Sequence, residues 1–334
     1  MKRVLRSLLV LLSVALCAAL VVLAGWFWRQ ANCDRPAVGE YVALGSSFAS
    51  GPGIGRQAPD SPVLCYRSLQ DYPHLLASKR HLTLVDRTCS GATSEHITHK
   101  GQYPFMAAQI EALTPATRLV TVTIGGNDVD YIRNLIAWSC QNQPQDMPTL
   151  WRMAACKPVS DTEVDDKLRA LPAALHSVAR RIRDKAPQAT LVFVDYVTVL
   201  PDLGDCPDRL PLSQAQLSRG RHVASLMSDI TANAAADADA ILIRASDRTR
   251  MNDICSSHPW VFGWTLPSDP LRSFGAVAYH PKAEAMKAIA EAIDSQLIRT
   301  ANTRQDNTPG AVSTLPSSGN GSINTLNGDS GAMR

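Results

Sequence analysis

The sequence predicts an α/β protein, a three-layer α/β/α sandwich built around a five-stranded parallel sheet. Three observations predict it. Short apolar runs at residues 41–44, 82–85, 119–124, 191–194 and 241–243 are bounded by turn residues, as strands covered on both faces should be. The segments between them can hold helices, and several repeat apolar residues at three- and four-residue spacing. Glycine-containing turns follow the first three strands, and a parallel sheet puts all three at one edge. No internal repeat is present, and the chain of 334 residues, 45% hydrophobic, reads as one domain at about residues 40–298.

The elements follow in order. The first strand stops at Gly45-Ser46-Ser47, and Gly51, Gly53 and Gly55 come after it. Residues 68–78 read as a short helix interrupted by Tyr72-Pro73, and strand 82–85 leads to Cys89-Ser90-Gly91-Ala92-Thr93. Residues 105–113 read as helical. The β-branched run 119–124 is a central strand ending at Gly125-Gly126-Asn127-Asp128. Residues 139–162, with several prolines and glutamines, read as an insertion over the sheet edge. Val164, Leu168, Leu171, Leu175, Val178 and Ile182 form the apolar stripe of a helix despite Pro172. Ser213 and Gln216 form a capping box at the start of another. The stretch 245–279 is irregular. A last helix runs from Lys282 to about Leu297, just after His280-Pro281.

Both ends differ from the middle. Lys2, Arg3 and Arg6 precede an uncharged run from Ser7 to Trp28 that Arg29 closes, so residues 1–29 are a membrane anchor or signal sequence. The length of the run favours an uncleaved anchor. Residues 30–39 form a connector, and the remainder is then extracytoplasmic, anchored to the membrane or secreted. Residues 299–334, rich in Ser, Asn, Gly and Thr, read as a disordered tail. Cys17 and Cys33 belong to the anchor and stalk, with Cys33 expected to be free. The other six cysteines suit three disulfides in an oxidising compartment, and spacing alone leaves 15 connectivities open. No cysteine or histidine shows metal-ligand spacing, so neither metal nor cofactor is expected. A net charge of +3, with Lys and Arg spread along the chain, points to no nucleic-acid partner.

Acyl transfer needs a hydroxyl nucleophile, a base for its proton and donors aimed at the developing oxyanion. Ser47 can attack, and His280 can act as base, placed by a helix start that Pro281 favours. The backbone N–H groups of Ser47 and Gly91 and the side-chain amide of Asn127 can serve as oxyanion donors. Each piece alone is an ordinary turn, cap or helix boundary. Their order, each at a strand or helix edge, is what points to a site.

These four blocks resemble those of the SGNH hydrolases, the GDSL-type esterase and lipase superfamily. The likeness runs from about Tyr41 to Leu297. Ser47 sits in the nucleophile position, Gly91 and Asn127 in the oxyanion positions, and His280-Pro281 in the last block. Cys65-Tyr66-Arg67-Ser68, followed by Tyr72-Pro73, is similar to the exported, disulfide-bearing bacterial branch. The resemblance implies a flavodoxin-like sheet, the pairs Cys65–Cys89, Cys140–Cys156 and Cys206–Cys255, and a monomeric enzyme acting on ester substrates.

Two positions depart from the family pattern. Ser46 stands where the family usually has Asp before the nucleophile. Val277 stands where many members carry Asp three residues before the histidine. The expected orienting group is therefore the Val277 main-chain carbonyl, with Asp269 as an alternative. Other readings fit less well. A dinucleotide fingerprint counted from Gly51 meets Arg56 at its third glycine, and Gly45-Ser46-Ser47-Phe48-Ala49 lacks the last glycine of a nucleophile elbow. A membrane-tethered, catalytically inactive module binding envelope components is the non-enzymatic alternative. The expected function is an exported serine esterase or lipase acting on lipid or short acyl esters. Removal of acetyl groups from envelope polysaccharide is the alternative within the same chemistry. Residues 129–165 and 245–279 are expected to wall the substrate pocket.

Overall fold

Strand formation follows the β-branched and apolar runs. β1 (Tyr41–Gly45), β2 (Leu84–Asp86), β3 (Leu119–Thr123), β4 (Thr190–Val194) and β5 (Ile241–Ile243) pair in parallel in the order β2–β1–β3–β4–β5. This computed structural model describes residues 2–33, 39–143, 156–264 and 277–306. Contacts divide the chain into Met1–Gln296 and Leu297–Arg334. The first holds the sheet, and the described part of the second, 297–306, is helical. The last helix, Ala283–Asp306, thus extends past Leu297, and residues 307–334 of the expected tail lie outside the described residues.

The chain leaves β1 for β2 on one side and returns to β3 on the other, so a topological switch point lies between β1 and β3. In open α/β sheets the crevice there, beyond the strands' carboxyl ends, is where ligands bind. Register puts Gly45 opposite Thr123, so the β1 and β3 turns leave the sheet at the same level. Backbone bonds from Arg87 to Ala43 and from Cys89 to Gly45, at 2.9 and 3.0 Å, carry the β2 side to that level as well.

Right-handed crossovers put the helix between β1 and β2 on one face and the later connections on the other. The first is Tyr72–Arg80. It begins at Tyr72 because the Asp71 carboxylate accepts the His74 N–H and Pro73 suits a first turn, so the Tyr72-Pro73 pair opens the helix and does not interrupt it. The helix Asp161–Lys185 buries Val164, Leu168, Leu171, Leu175, Val178 and Ile182. Ser160 caps it, acidic residues begin it and basic residues end it, as the helix dipole favours. Pro172 is tolerated on its solvent side. Gln214–Asp237 starts at the Ser213/Gln216 capping box. In place of the helix expected over 105–113 there is one 3₁₀ turn, Gln109–Ala112. The Gln109 amide is used elsewhere: it brackets the Gly45 peptide, accepting its N–H at 2.8 Å and donating to its carbonyl at 3.0 Å.

The bonded cysteines are Cys65–Cys89, Cys140–Cys156 and Cys206–Cys255. Cys17 is free and exposed, and the Cys33 side chain lies outside the described residues. The N-terminal helix Lys2–Cys33 contains Leu9–Trp28, a stretch long and apolar enough to cross a membrane. Near its end, Trp26 and Phe27 meet Phe105 edge-on at 6.2 and 6.0 Å, and the buried Gln30 side chain accepts the Val63 N–H at 2.8 Å.

Candidate active site

Ser47 begins a short helix, Ser47–Ser50, directly after β1. Its Oγ lies 2.9 Å from His280 Nε2 across 233 residues of chain. Both side chains are buried, with 6% and 7% of their surface exposed. The histidine is held by backbone on two sides. Phe262 N–H donates to the His280 carbonyl and Tyr279 N–H to the Phe262 carbonyl, each at 2.9 Å, so the supposedly irregular 260–264 segment braces the loop before the last helix. Tyr279 adopts a left-handed φ of 68° next to the histidine, a conformation that must be held in place. Its hydroxyl is bonded to Ser139 and its ring stacks near Trp264.

His280 Nδ1 lies 3.0 Å from the Ala278 carbonyl. The expected Val277 carbonyl instead accepts the His280 backbone N–H at 3.1 Å. Nδ1 thus meets the Ala278 carbonyl directly, and the Ala278 and Val277 carbonyls both act on the ring to favour its protonated form. A carbonyl can only accept, so Nδ1 carries the proton and Nε2 is left to accept from the serine hydroxyl. Burial lowers the His280 pKa to about 4, outweighing the two main-chain carbonyls that raise it. Asp269 lies outside the described residues.

The donor groups sit on the two flanking turns. Gly91 has φ +83°, a left-handed conformation that suits glycine, and Gln102 Nε2 donates to the preceding Ser90 carbonyl at 2.7 Å. Asn127 Nδ2 donates to the Ala92 carbonyl at 2.8 Å, which ties the β3 turn to the β2 turn and leaves a second amide hydrogen on the same nitrogen. Asp128 adds to this tie. Its carboxylate accepts both the backbone N–H and the hydroxyl of Ser94, and burial raises its pKa.

Ser46, in the place of the family's aspartate, is fully buried, and its Oγ lies 3.2 Å from the Tyr196 hydroxyl. That hydroxyl accepts the Gly126 N–H at 2.8 Å. A Cβ at Gly126 would lie 2.6 Å from the Tyr196 ring, so glycine is needed for this approach. Phe48 packs on Tyr196 and on the His280 ring, with centroids 4.4 and 5.4 Å away. Sequence reasoning missed Tyr196, although its place two residues past the end of β4, at the ligand-binding edge, could have flagged it. A cavity of about 300 Å³ lies beyond Tyr196, lined by Tyr131, Leu200, Arg221, Ser228 and Arg250 among others, and neither Ser47 nor His280 lines it. Within the expected pocket walls, residues 144–155 and 265–276 lie outside the described residues.

Residues 43–288 match the model of the GDSL-like Lipase/Acylhydrolase family. The chain belongs to that family. Within it, the chain is 31% identical over 261 residues to Lipase 2 of Streptomyces coelicolor, covering 75% of this chain and 83% of that protein. A lipase of Streptomyces rimosus is 29% identical over 253 residues, covering 75% of this chain and 84% of its own. A solved extracellular lipase from Streptomyces rimosus shares the fold, with a TM-score of 0.60 and 27% identity over 78% of this chain and 99% of that one. Family membership and these relatives make the chain a carboxylic ester hydrolase.

Proposed function

We propose that the chain is an extracytoplasmic serine esterase that hydrolyses lipid or short acyl esters through a Ser47–His280 dyad. The observation that carries this reading is the 2.9 Å contact from Ser47 Oγ to a histidine whose other nitrogen is held by a carbonyl. Ser47 Oγ attacks the ester carbonyl while Nε2 of His280 takes its proton. The Ala278 carbonyl, bonded to Nδ1, steadies the imidazolium that forms. Ser47 N–H, Gly91 N–H and the free Asn127 amide hydrogen hold the tetrahedral oxyanion. Collapse expels the alkoxide, which takes the proton from Nε2. A water deprotonated by the same nitrogen then releases the acid and restores Ser47.

Three disulfides and the apolar N-terminal helix support export, and that helix fits a membrane tether. A lipid substrate is favoured by the contact of Trp26 and Phe27 with Phe105, since Phe105 lies on the segment whose Gln102 bonds to Ser90, the residue before Gly91. A tether ending there holds the oxyanion side close to the bilayer surface.

A fluorophosphonate probe tests the serine assignment: it should label the wild-type protein and spare Ser47→Ala. Absence of labelling in folded wild type would overturn the assignment. A chain-length series of p-nitrophenyl esters, run beside an acetylated glycan, tests the substrate class. Turnover of the glycan in preference to every ester would favour the deacetylase reading.

A further inference from the structure

Among the described residues, Asp71, His74 and Asp86 bring three ligating atoms within 4.8 Å of one another, apart from the Ser47–His280 contact. Sequence spacing concealed this cluster, because the rest of the helix Tyr72–Arg80 and the approach to β2 separate Asp86 from the other two. Asp71 and Asp86 are 0% and 6% exposed. Asp71 Oδ1 accepts the His74 backbone N–H and faces His74 Nδ1, both at 2.8 Å. Asp86 Oδ1 accepts the Thr88 N–H and hydroxyl at 2.8 and 2.7 Å. The remaining oxygens, Asp71 Oδ2 and Asp86 Oδ2, are buried with no hydrogen-bond partner. Asp86 Oδ2 points into the cluster, 3.7 Å from His74 Nδ1.

Among the described residues, the buried carboxylate of Asp195 is satisfied on both oxygens. Asp195 accepts from Ser228 and Ser246 at one oxygen and from the Ser246 N–H at the other. Arg67, the buried cation nearby, gives its Nε to the Thr88 carbonyl at 2.7 Å and pairs with Asp86 Oδ1 at 3.9 Å. Two buried carboxylate oxygens without hydrogen-bond donors, one of them facing the imidazole, leave an electrostatic demand that a bound cation meets.

We propose that Asp71, His74 and Asp86 bind one divalent transition-metal ion of the zinc or manganese class, through His74 Nδ1 and an oxygen of each carboxylate. One imidazole nitrogen with two carboxylates favours such an ion over calcium or magnesium, which prefer all-oxygen ligands. The His74 side chain is 19% exposed, which gives the ion a route in and leaves room for water ligands. Imidazole must be neutral to bind, so a proton on His74 is the competing occupant and binding tightens as pH rises. The site is structural. Asp86 begins the stretch that leads to Cys89 and Gly91, and Asp71 lies under the catalytic turn, where a Cβ at Gly51 would stand 3.1 Å from the Asp71 Cβ. An ion here would pin the helix Tyr72–Arg80 to the turn that carries Gly91.

The test is metal titration of the full chain in detergent, stripped with chelator, at about pH 8. Zinc, manganese and calcium chlorides are added separately, and binding is followed by calorimetry and thermal unfolding. Zinc or manganese should bind at one equivalent and raise Tm by about 5 °C or more at saturating ion. His74→Gln keeps the backbone N–H that Asp71 caps, and should weaken binding by about tenfold or more and abolish the Tm rise. The proposal is overturned if stripped wild type binds neither ion, if His74→Gln binds as tightly as wild type, or if calcium is preferred to both.

Discussion

Replacing Tyr196 with Phe tests whether a phenol outside the four family blocks holds the Ser47 turn and the Asn127 turn together. The hydroxyl accepts the Gly126 N–H at 2.8 Å and meets Ser46 Oγ at 3.2 Å. Phe keeps the ring that packs on Phe48 and on the Gly126 backbone, so the substitution removes these two polar contacts and little packing. An orphaned buried donor costs about 1–3 kcal/mol. The ring borders the 300 Å³ cavity, from which water can partly replace the hydroxyl, so the expected loss is about 2 kcal/mol. For a domain of this size that is a fall in Tm of roughly 4–8 °C. Catalysis should suffer as well. Gly126 precedes Asn127, so a freed turn misplaces one oxyanion donor, and kcat should fall by about tenfold with KM nearly unchanged. Urea denaturation and steady-state kinetics on a soluble p-nitrophenyl ester measure both. If Tyr196→Phe matched wild type in unfolding midpoint and in kcat, the coupling of the two turns through this hydroxyl would be refuted.

Four further outcomes are expected. Asn127→Ala should lower kcat by about 10²–10³-fold while the protein stays folded, and a smaller loss would leave the oxyanion hole to the two backbone donors. Because the proposed His280 base works only when neutral and its pKa is lowered to about 4, kcat/KM should hold level down to about pH 5 and fall below it, and a limb near pH 6.5 would contradict this. The same shift has a stability consequence: from pH 6.5 down to about 4 the unfolded chain binds a proton that the native imidazole refuses. Its contribution therefore falls with pH, by about 3 kcal/mol over that window, as pH-dependent denaturation would measure. Asp269→Ala should retain near-wild-type kcat, and a loss as large as that of His280→Ala in folded protein would replace the dyad with a triad.

Residue chemistry explains which parts of this design could be read from the sequence. All five strands were legible, because a sheet covered on both faces leaves near-continuous apolar runs at 41–44, 119–123 and 190–194. The turns that carry Ser47, Gly91 and Asn127 and the helix start at His280 were legible because each follows a strand or precedes a helix, where local signals are strong. What escaped were side chains whose role is set by distant partners. Gln109 looks like a helix residue until its amide meets Gly45, 64 residues away. Tyr196 reaches Ser46 across 150 residues and Gly126 across 70, and no local pattern announces either contact. The Ala278 carbonyl beside Nδ1 was not anticipated, because the left-handed φ of Tyr279 is uncommon for a tyrosine and rests on contacts with Ser139 and Trp264.

The two departures from the family pattern, Ser46 and Val277, have a common consequence. Both replace a carboxylate beside the proposed catalytic pair with a neutral group: a hydroxyl bonded to Tyr196 in one case, a main-chain carbonyl on Nδ1 in the other. A carboxylate on Nδ1 would stabilise the imidazolium and raise the pKa of the base. The carbonyl does this only partly, and burial carries the pKa down to about 4. A base of low pKa is unprotonated over the whole working range but draws the serine proton with less driving force. The barrier must then be lowered at the other end of the developing charge, on the oxyanion. In the proposed mechanism, the Ala92 bond to Asn127 and the Asp128–Ser94 clamp would fix the donors beforehand, where a water-excluded site makes each of them count most.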